Sequence, residues 1–343
     1  MSAYKALVDW IHENGGFVSP LVTLVDSLKP EDGTRGIVCL QDLPPDYEFL
    51  RLPSSLILNP TTSKHFQAHL KPFLKKIRVS DWTPLMWSMI LERRDRSSFW
   101  KPYLDSIPHK INLPCEWPSE DQEYLKGTKI YAQLQTDFSV QDREFERVSK
   151  KAGLSIPNLR EEYHAAGSVI SAYSFCDDKM VSMVPFADLL NHKTGCNNAR
   201  LFFEDDQLSM RCIRACAKGE QLYNTYGDLG NTELLLKYGY ICPGNRLTDV
   251  TIDLENLPNI QRLLDTQELE RVLEAFPDGE VPINSKSFRM IGANLFERLV
   301  QLELRRHKPK KAPQNPNQEM AAAYLRDYRK ALQRKACRSL DRC

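Results

Sequence analysis

Two polar stretches interrupt apolar parts of the chain, and their side chains could hold a ligand. The first, residues 184–192, is an apolar strand that ends in Asn191-His192. An asparagine amide both donates and accepts hydrogen bonds, so this strand end could bind a polar molecule. The second, residues 219–227, contains Tyr223 and Tyr226. Each stretch alone is also typical of an ordinary turn, so neither identifies an activity by itself.

The order and spacing of several short motifs are more specific than either stretch. The motifs that carry the pattern are Gly33-Thr34-Arg35-Gly36-Ile37, Leu43-Pro44-Pro45, Asp188-Leu189-Leu190-Asn191-His192, Lys218-Gly219-Glu220-Gln221-Leu222, Asn224-Thr225-Tyr226-Gly227 and Leu234-Leu235-Leu236-Lys237-Tyr238-Gly239-Tyr240. The first two resemble the N-terminal half of a SET domain, and the other four resemble its C-terminal half. Within the SET-domain proteins, the pattern is most similar to the Rubisco large-subunit methyltransferase-like class of protein-lysine methyltransferases.

The resemblance implies a fold of the α+β class. A β-rich, knotted SET domain would be split by a helical insertion and followed by an α-helical domain. It also implies an enzyme that transfers a methyl group from S-adenosyl-L-methionine to the side-chain amine of a lysine in a non-histone protein. Two alternatives stay open: the acceptor could be a histidine, or the SET fold could serve as a binding scaffold without turnover.

The resemblance also assigns roles to individual residues. The backbone of Thr34, Arg35 and Gly36 would run along the methionine part of the cofactor, and Asn191 would hydrogen-bond to its amino-acid end. The backbone of His192 and the ring of Tyr240 would contact the adenine, for which an aromatic face is suited. Tyr226 would be the catalytic tyrosine and would also contact the cofactor. The substrate would meet Tyr173, Phe175, Tyr223 and Tyr238.

One position departs from the commonest pattern of the class. Many relatives carry Ser-Arg-x-Phe before the Asp-Leu-Leu-Asn-His motif, whereas this chain has Ser171-Ala172-Tyr173-Ser174-Phe175. Tyr173 therefore stands where an arginine often contacts the carboxylate of the cofactor. The Ala-Tyr-Ser-Phe and Asn-Thr-Tyr-Gly segments together are similar to the subgroup of nuclear and ribosomal-protein lysine methyltransferases. For that subgroup we expect a ribosomal or nuclear protein as substrate.

Elements that could position these residues are visible in the hydrophobic pattern. Tyr4, Leu7, Val8 and Ile11 have helical spacing, and Asn14-Gly15-Gly16 is typical of a helix end. The residue pattern is typical of short strands after residue 33 and again near residue 180, and it is typical of helices between these two regions. The predicted segments are 1–65 (first helix and N-terminal half of SET), 66–165 (helical insertion), 166–243 (C-terminal half of SET) and 244–343 (helical domain and basic tail).

The composition of the chain limits the classes of function and location that we expect for it. The formal net charge of +1 provides no global basic field, so we expect no direct nucleic-acid binding. The nine cysteines include no C-x-x-C pair, and we expect no metal. No stretch has the apolar length of a membrane span, and the N-terminus lacks a signal pattern, so we expect a cytoplasmic or nuclear protein. The charges on the basic last helix are more typical of a helix face exposed to solvent than of a docking site. The sequence leaves the oligomeric state open.

The expected chemistry starts from the charge of the acceptor. A lysine ammonium has a reference pKa near 10.4, so at neutral pH well under roughly 1% is the neutral amine that can attack a methyl group. An apolar channel lined by Phe175, Tyr223 and Tyr226 would disfavour the charged form. The hydroxyl of Tyr226 would position the amine or stabilise the charge of the transferring methyl group.

Overall fold

The structure is a computed structural model that describes residues 2–28, 35–74, 77–176, 180–204, 206–248, 250–255, 257, 260, 264–307 and 312–340, with the backbone alone at 135–138 and 340. The chain forms two compact units. The first contains Met1–Asn112 and Phe138–Asp228, and the second contains Leu113–Asp137 and Leu229–Cys343. Each unit has a hydrophobic core of its own.

The first unit begins with helix α1 (Ala3–Glu13), as the hydrophobic spacing predicts. The side chain of Ser2 caps its first turn by accepting a hydrogen bond from the amide of Lys5, and Gly15, at φ +84°, follows its end. The following strands are β1 (Phe17–Val18), β2 (Val22–Val25), β3 (Gly36–Cys39) and β4 (Glu48–Pro53). The helices after them are α2 (Lys64–His69), α3 (Lys71–Leu74), α4 (Trp82–Arg94) and α5 (Lys101–Leu104).

Strands return in the second half of this unit. Two helices come first, α7 (Lys129–Ala152), whose residues up to 137 belong to the second unit, and α8 (Leu159–Tyr173). The short α6 (Ser119–Gln122) of the second unit precedes them. The strands are β5 (Ser174–Cys176), β6 (Val181–Met183), β7 (Asn191–His192), β8 (Ala199–Glu204), β9 (Gln207–Cys212) and β10 (Tyr223–Asn224). An antiparallel sheet has the order β1-β4-β9-β8, while β2 pairs with β3 and β5 pairs with β6. Mixed helices and strands agree with the predicted α+β class.

The second unit is mostly helical. Its further elements are α9 (Asn231–Tyr238), β11 (Thr251–Asp253), α10 (Thr266–Ala275), β12 (Glu280–Pro282), α11 (Ser285–Ile291), α12 (Ala293–Arg306) and α13 (Pro316–Leu340). Strands β11 and β12 pair with each other. The predicted C-terminal helical region is therefore present, and it begins with α9, before the predicted boundary at residue 244.

The predicted insertion, residues 66–165, is not one compact block. Residues 113–137 belong to the second unit, where Trp117, Leu125 and Ile130 are part of the core. The carboxylate of Asp121 accepts hydrogen bonds from Asn315 (2.9 Å), Asn317 (3.0 Å) and Gln318 (2.7 Å). These partners lie almost 200 residues away in the sequence, so no local pattern could have revealed the pairing.

Replacing Asp121 with alanine should destabilise the second unit by about 3 kcal/mol, because three amide donors would lose a charged acceptor in a buried place. Although burial opposes it, these donors also lower the pKa of Asp121, so the carboxylate stays charged at neutral pH. Urea unfolding of the variant, compared with Glu120→Ala at the exposed neighbouring position, measures the effect. Equal stability of the two variants would contradict it.

Candidate functional site

The strand pair β7 and β10 brings the two polar stretches together. The strands are parallel, with Tyr223 opposite Asn191 and Asn224 opposite His192. Parallel neighbours cannot be joined by a tight turn, so the chain between them has to make a long excursion through β8 and β9. The pairing therefore places residues that are separated by about thirty positions side by side.

Asn191 connects this strand pair to the start of β3. Its side-chain Nδ2 donates a hydrogen bond to the carbonyl oxygen of Arg35 (2.6 Å) and lies 3.4 Å from Oε1 of Gln221. A β-carbon at Gly36 would lie 2.8 Å from Asn191 Nδ2 and 2.9 Å from Gln221 Nε2. Such distances are shorter than van der Waals contact, so only glycine fits without displacing the amides.

His192 organises the loop after β10 through its ring. The backbone N–H of Tyr226 donates to Nδ1 of His192 (3.1 Å), and the two rings stack with centroids 5.1 Å apart. Nδ1 must therefore be unprotonated, which leaves Nε2, 3.4 Å from Thr194 Oγ1, as the N–H of the neutral ring. Burial lowers the pKa of His192 and favours this neutral form.

Tyr226 is held at both its backbone and its hydroxyl. The hydroxyl donates a hydrogen bond to the carbonyl oxygen of Leu190 (2.9 Å), immediately before β7. Because the phenol proton is used in that bond, the oxygen can act only as an acceptor toward a further group. The arrangement fixes the direction in which Tyr226 offers its lone pairs.

We call Arg35, Tyr103, Tyr173 and Asp188 the Asp188 cluster; Tyr103 and Asp188 are buried, and Arg35 and Tyr173 are half-buried. The hydroxyl of Tyr103 donates to Oδ2 of Asp188 (2.6 Å). Burial raises the pKa of Asp188 to about 7, although Tyr103 and the positive charge of Arg35 both act against the rise. Burial raises the pKa of Tyr173, and the nearby positive charge of Arg35 acts against that rise. Among the described residues, Arg35 Nη2 and Asp188 Oδ1 are buried without a hydrogen-bond partner.

Of the other predicted residues, Tyr223 lies in the strand pair of the site, opposite Asn191. Phe175 is in β5, opposite Ser182 of β6. Tyr223 is in β10, where its amide donates to Asn198 Oδ1 (2.7 Å). Tyr238 ends α9 and Tyr240 follows it, so both belong to the second unit; burial raises the pKa of each. Thr34 lies outside the described residues.

The described contacts thus bring together Arg35, Gly36, Asn191, His192, Tyr223 and Tyr226. Three residues of the site, Tyr103, Asp188 and Gln221, have no role predicted from the sequence. Asp188 and Gln221 lie inside the SET-like motifs, and the position of Asp188 between the apolar Ala187 and Leu189 was a usable signal. Tyr103 gave no signal, because 85 positions separate it from its partner.

In the part of the chain that the structure describes, no group of three or more histidine, cysteine, aspartate or glutamate side chains is arranged to hold a metal ion. None of the helices described is both long enough and apolar enough to cross a membrane.

Comparisons with known proteins agree with the motif pattern. A family model described as SET domain matches residues 34–227. The N-lysine methyltransferase setd6 of Danio rerio is 30% identical over 250 residues, which are 64% of this chain and 53% of that protein. The N-lysine methyltransferase SETD6 of Rattus norvegicus is 28% identical over 301 residues, 79% of this chain and 61% of that protein. The chain thus spans little more than half the length of these curated relatives.

Solved structures show the same fold. The structure of Rubisco LSMT bound to AdoMet aligns with a TM-score of 0.71 at 18% identity, covering 100% of this chain and 92% of that one. The crystal structure of the SET domain of LSMT bound to lysine and AdoHcy aligns with a TM-score of 0.67 at 16% identity, covering 99% and 91%. The predicted fold and the resemblance to this class are confirmed.

The raised pKa of Asp188 predicts a pH-dependent stability. The folded carboxyl titrates at about 7 and the unfolded one near 3.8, so stability falls as the pH rises from about 4 to about 7 and then levels off. Asp188→Asn is neutral at every pH. Its stability relative to the unmodified chain should therefore increase by about 2 to 3 kcal/mol between pH 5 and pH 8. Urea unfolding at both pH values tests this, with the exposed Asp26→Asn as control; a pH-independent difference would exclude it.

Proposed function

Because the chain belongs to the SET-domain family, we propose that it is a protein-lysine N-methyltransferase that takes its methyl group from S-adenosyl-L-methionine. The observation that carries the proposal is the junction of Gly36, Asn191 and Tyr226, three separate segments joined by hydrogen bonds at one place. The names of the curated relatives, which are N-lysine methyltransferases, support the reaction.

The residues at this junction fit the cofactor. The missing side chain at Gly36 lets a ligand approach the backbone. Nη2 of Arg35, which is buried and has no hydrogen-bond partner among the described residues, offers a charged donor. Arg35, Gly36, Asn191, His192 and Tyr226 would hold the cofactor, together with Thr34 and Tyr240 as the resemblance implies. S-adenosyl-L-methionine supplies, when bound, an electrophilic methyl group on a positively charged sulfur.

The chain's own residues have to prepare the acceptor. A lysine ammonium must lose a proton before it can attack, and contact with the rings of Phe175, Tyr223 and Tyr226 would favour the neutral amine by desolvation. The hydroxyl proton of Tyr226 is used in the hydrogen bond to the carbonyl oxygen of Leu190. The hydroxyl oxygen can therefore only accept a hydrogen bond from the amine or from the polarised methyl group. His192 holds the backbone of Tyr226 and thereby fixes the position of that oxygen.

The substrate is a protein, and we propose a ribosomal or nuclear one. The Ala-Tyr-Ser-Phe segment around Tyr173 supports this choice through the subgroup that it resembles. The exposed cations Arg326, Lys330 and Arg334 on α13 are compatible with an acidic or RNA-rich partner. On this proposal, the protein acts in the cytoplasm, the nucleus or both.

Transfer of isotopically labelled methyl groups tests the activity. The full chain and its Tyr226→Phe variant are incubated with labelled S-adenosyl-L-methionine and a fractionated cell lysate, and modified peptides are identified by mass spectrometry. We expect label on a lysine of a discrete protein, with turnover reduced on the order of 10²-fold in the variant because a positioned acceptor is lost. Tyr131→Phe, at an exposed hydroxyl that donates to Glu123, is the matched control.

Three outcomes would contradict parts of this proposal. Full turnover by Tyr226→Phe would remove the role of that hydroxyl. Label on histidine would establish the other acceptor. Cofactor binding without transfer to any protein would favour the scaffold.

Substitution of Gly36 by alanine should weaken cofactor binding by at least about tenfold, because the new methyl group would displace the amides of Asn191 and Gln221. Isothermal titration calorimetry with S-adenosyl-L-methionine measures the change. Gly167→Ala in α8 is the control, since its added methyl group would meet the flexible ends of two side chains, Met86 (3.0 Å) and Gln141 (3.4 Å). Unchanged affinity of Gly36→Ala would show that this approach is not used.

A further inference from the structure

A cleft in the second unit lies between the loop that follows α9 and one face of α13, and we call it the basic cleft. Its volume is about 440 Å³. The loop contributes an apolar wall, Ile241 and Pro243. The helix contributes three exposed cations, Arg326, Lys330 and Arg334. Cations on a helix face are usually only solvated, but these three border a cavity that also has an apolar side.

Within the described ranges of the chain, the three cations of the basic cleft form no ion pair. The carboxylate of Asp327 also lines the cleft, but it is buried and both of its oxygens are used. Oδ2 accepts a hydrogen bond from Nδ2 of Asn231 (2.6 Å), and Oδ1 accepts one from the amide of Gly244 (2.9 Å). Asp327 therefore fastens the loop to the helix, and the exposed charges stay available to a ligand.

The row of cations has an energetic cost in the free protein. Arg326, Lys330 and Arg334 follow one another at intervals of four residues, and like charges at that spacing destabilise a helix. Exposed cations elsewhere lie beside carboxylates, as Arg94 does with Glu162 (2.7 Å). A negatively charged ligand in the basic cleft would remove the repulsion between the three cations.

The spacing of the row matches the spacing of side chains on an extended polypeptide. A helix rises about 1.5 Å per residue, so the three charges recur about every 6 Å along α13. Alternate residues of an extended chain point to one side and recur about every 6.6 Å. A segment with an acidic residue at every second position can thus place one carboxylate opposite each cation. Its intervening residues would point to the other side, where an apolar side chain suits Ile241 and Pro243.

A nucleic acid fits the basic cleft less well than an acidic polypeptide does. The chain as a whole has a formal net charge of +1, so it lacks the broad basic field that attracts phosphate backbones. A phosphate backbone would also leave the apolar wall of the cleft unused.

We propose that the basic cleft binds an extended acidic segment of a partner protein, with carboxylates on Arg326, Lys330 and Arg334. The inference goes beyond the proposed function, because it requires neither the cofactor nor methyl transfer. It also uses residues of the second unit only.

Fluorescence anisotropy with labelled peptides tests the proposal on the full chain. The main probe is a short peptide of alternating glutamate and valine. The comparison peptide has the same composition, with its glutamates in one block. The alternating peptide should bind about threefold more tightly, because more of its carboxylates face the row at once. Its affinity should fall as salt is added, because exposed charges are screened.

A matched pair of triple variants locates the binding site. Replacement of Arg326, Lys330 and Arg334 with glutamine should weaken binding of the alternating peptide by at least about tenfold. Lys286→Gln, Arg289→Gln and Arg305→Gln together remove the same charge from exposed positions of the second unit that do not line the cleft, and they should leave the affinity nearly unchanged.

Two further variants protect the test against a failure to fold. Thermal unfolding checks each protein, and the loss of like charges from α13 should not lower its stability. If the triple cleft variant does not fold, Lys330→Gln alone should still weaken binding about threefold. Replacement of the three cations with glutamate should instead create affinity for a peptide of alternating lysine and valine.

Each outcome decides for or against the basic cleft. Equal losses in the cleft and control variants would show a general charge effect and overturn the proposal. Equal affinity for the two glutamate peptides, or binding of neither, would also overturn it. Tighter binding of a short oligouridylate than of the alternating peptide would assign the row to RNA. Selective loss in the cleft variants supports the proposal, whether or not methyl transfer is found.

Discussion

The side-chain amide of Asn191 joins parts of the first unit that lie far apart in the sequence. Its bond to the carbonyl oxygen of Arg35 spans 156 positions, and its approach to Gln221 spans 30. Closing such long loops is entropically costly, so the bond depends on the surrounding strands to hold both ends. The side-chain amide of Asn191 also limits how closely Gly36 can approach β7. The other residues of the site are placed according to that distance.

Backbone pairing supplies this support on the other side of Gly36. The amide of Leu222 donates to the carbonyl of Ile37 (2.8 Å), and the amide of Cys39 donates to the carbonyl of Glu220 (2.9 Å). These bonds hold the Lys218 to Leu222 segment along β3, while β10 continues from that segment to pair with β7. One continuous stretch therefore contacts both strands, which explains why the position of Tyr226 follows from the placement of Asn191 and His192.

Buried carboxylates elsewhere in the chain show what is unusual about the Asp188 cluster. Glu92 is buried, and both of its oxygens accept hydrogen bonds, from Ser63 (2.7 Å) and Ser98 (2.6 Å). Asp121 is bonded to three amides. Satisfied carboxylates of this kind rigidify the fold. In the part of the chain that the structure describes, Asp188 and Arg35 instead each have a buried polar atom without a hydrogen-bond partner, and such incomplete pairing is typical of places where a ligand supplies the missing partner.

The sequence by itself determined the class of the fold, its first helix and the family, because those depend on local order. Helical spacing and the glycines after Asn14 predict α1, and the spaced motifs around Gly36, Asn191 and Tyr226 identify the family. Such motifs keep their order along the chain even when their partners are remote.

Only the tertiary structure decided which groups meet. It placed residues 113–137 with the second unit and paired Tyr103 with Asp188. It also directed the hydroxyl hydrogen bond of Tyr226 to the carbonyl oxygen of Leu190. It also showed that His192 acts on Tyr226 through its ring, where the sequence had assigned only its backbone. These contacts join residues dozens of positions apart, and their geometry depends on strand pairing and burial, which no local pattern of residue types encodes.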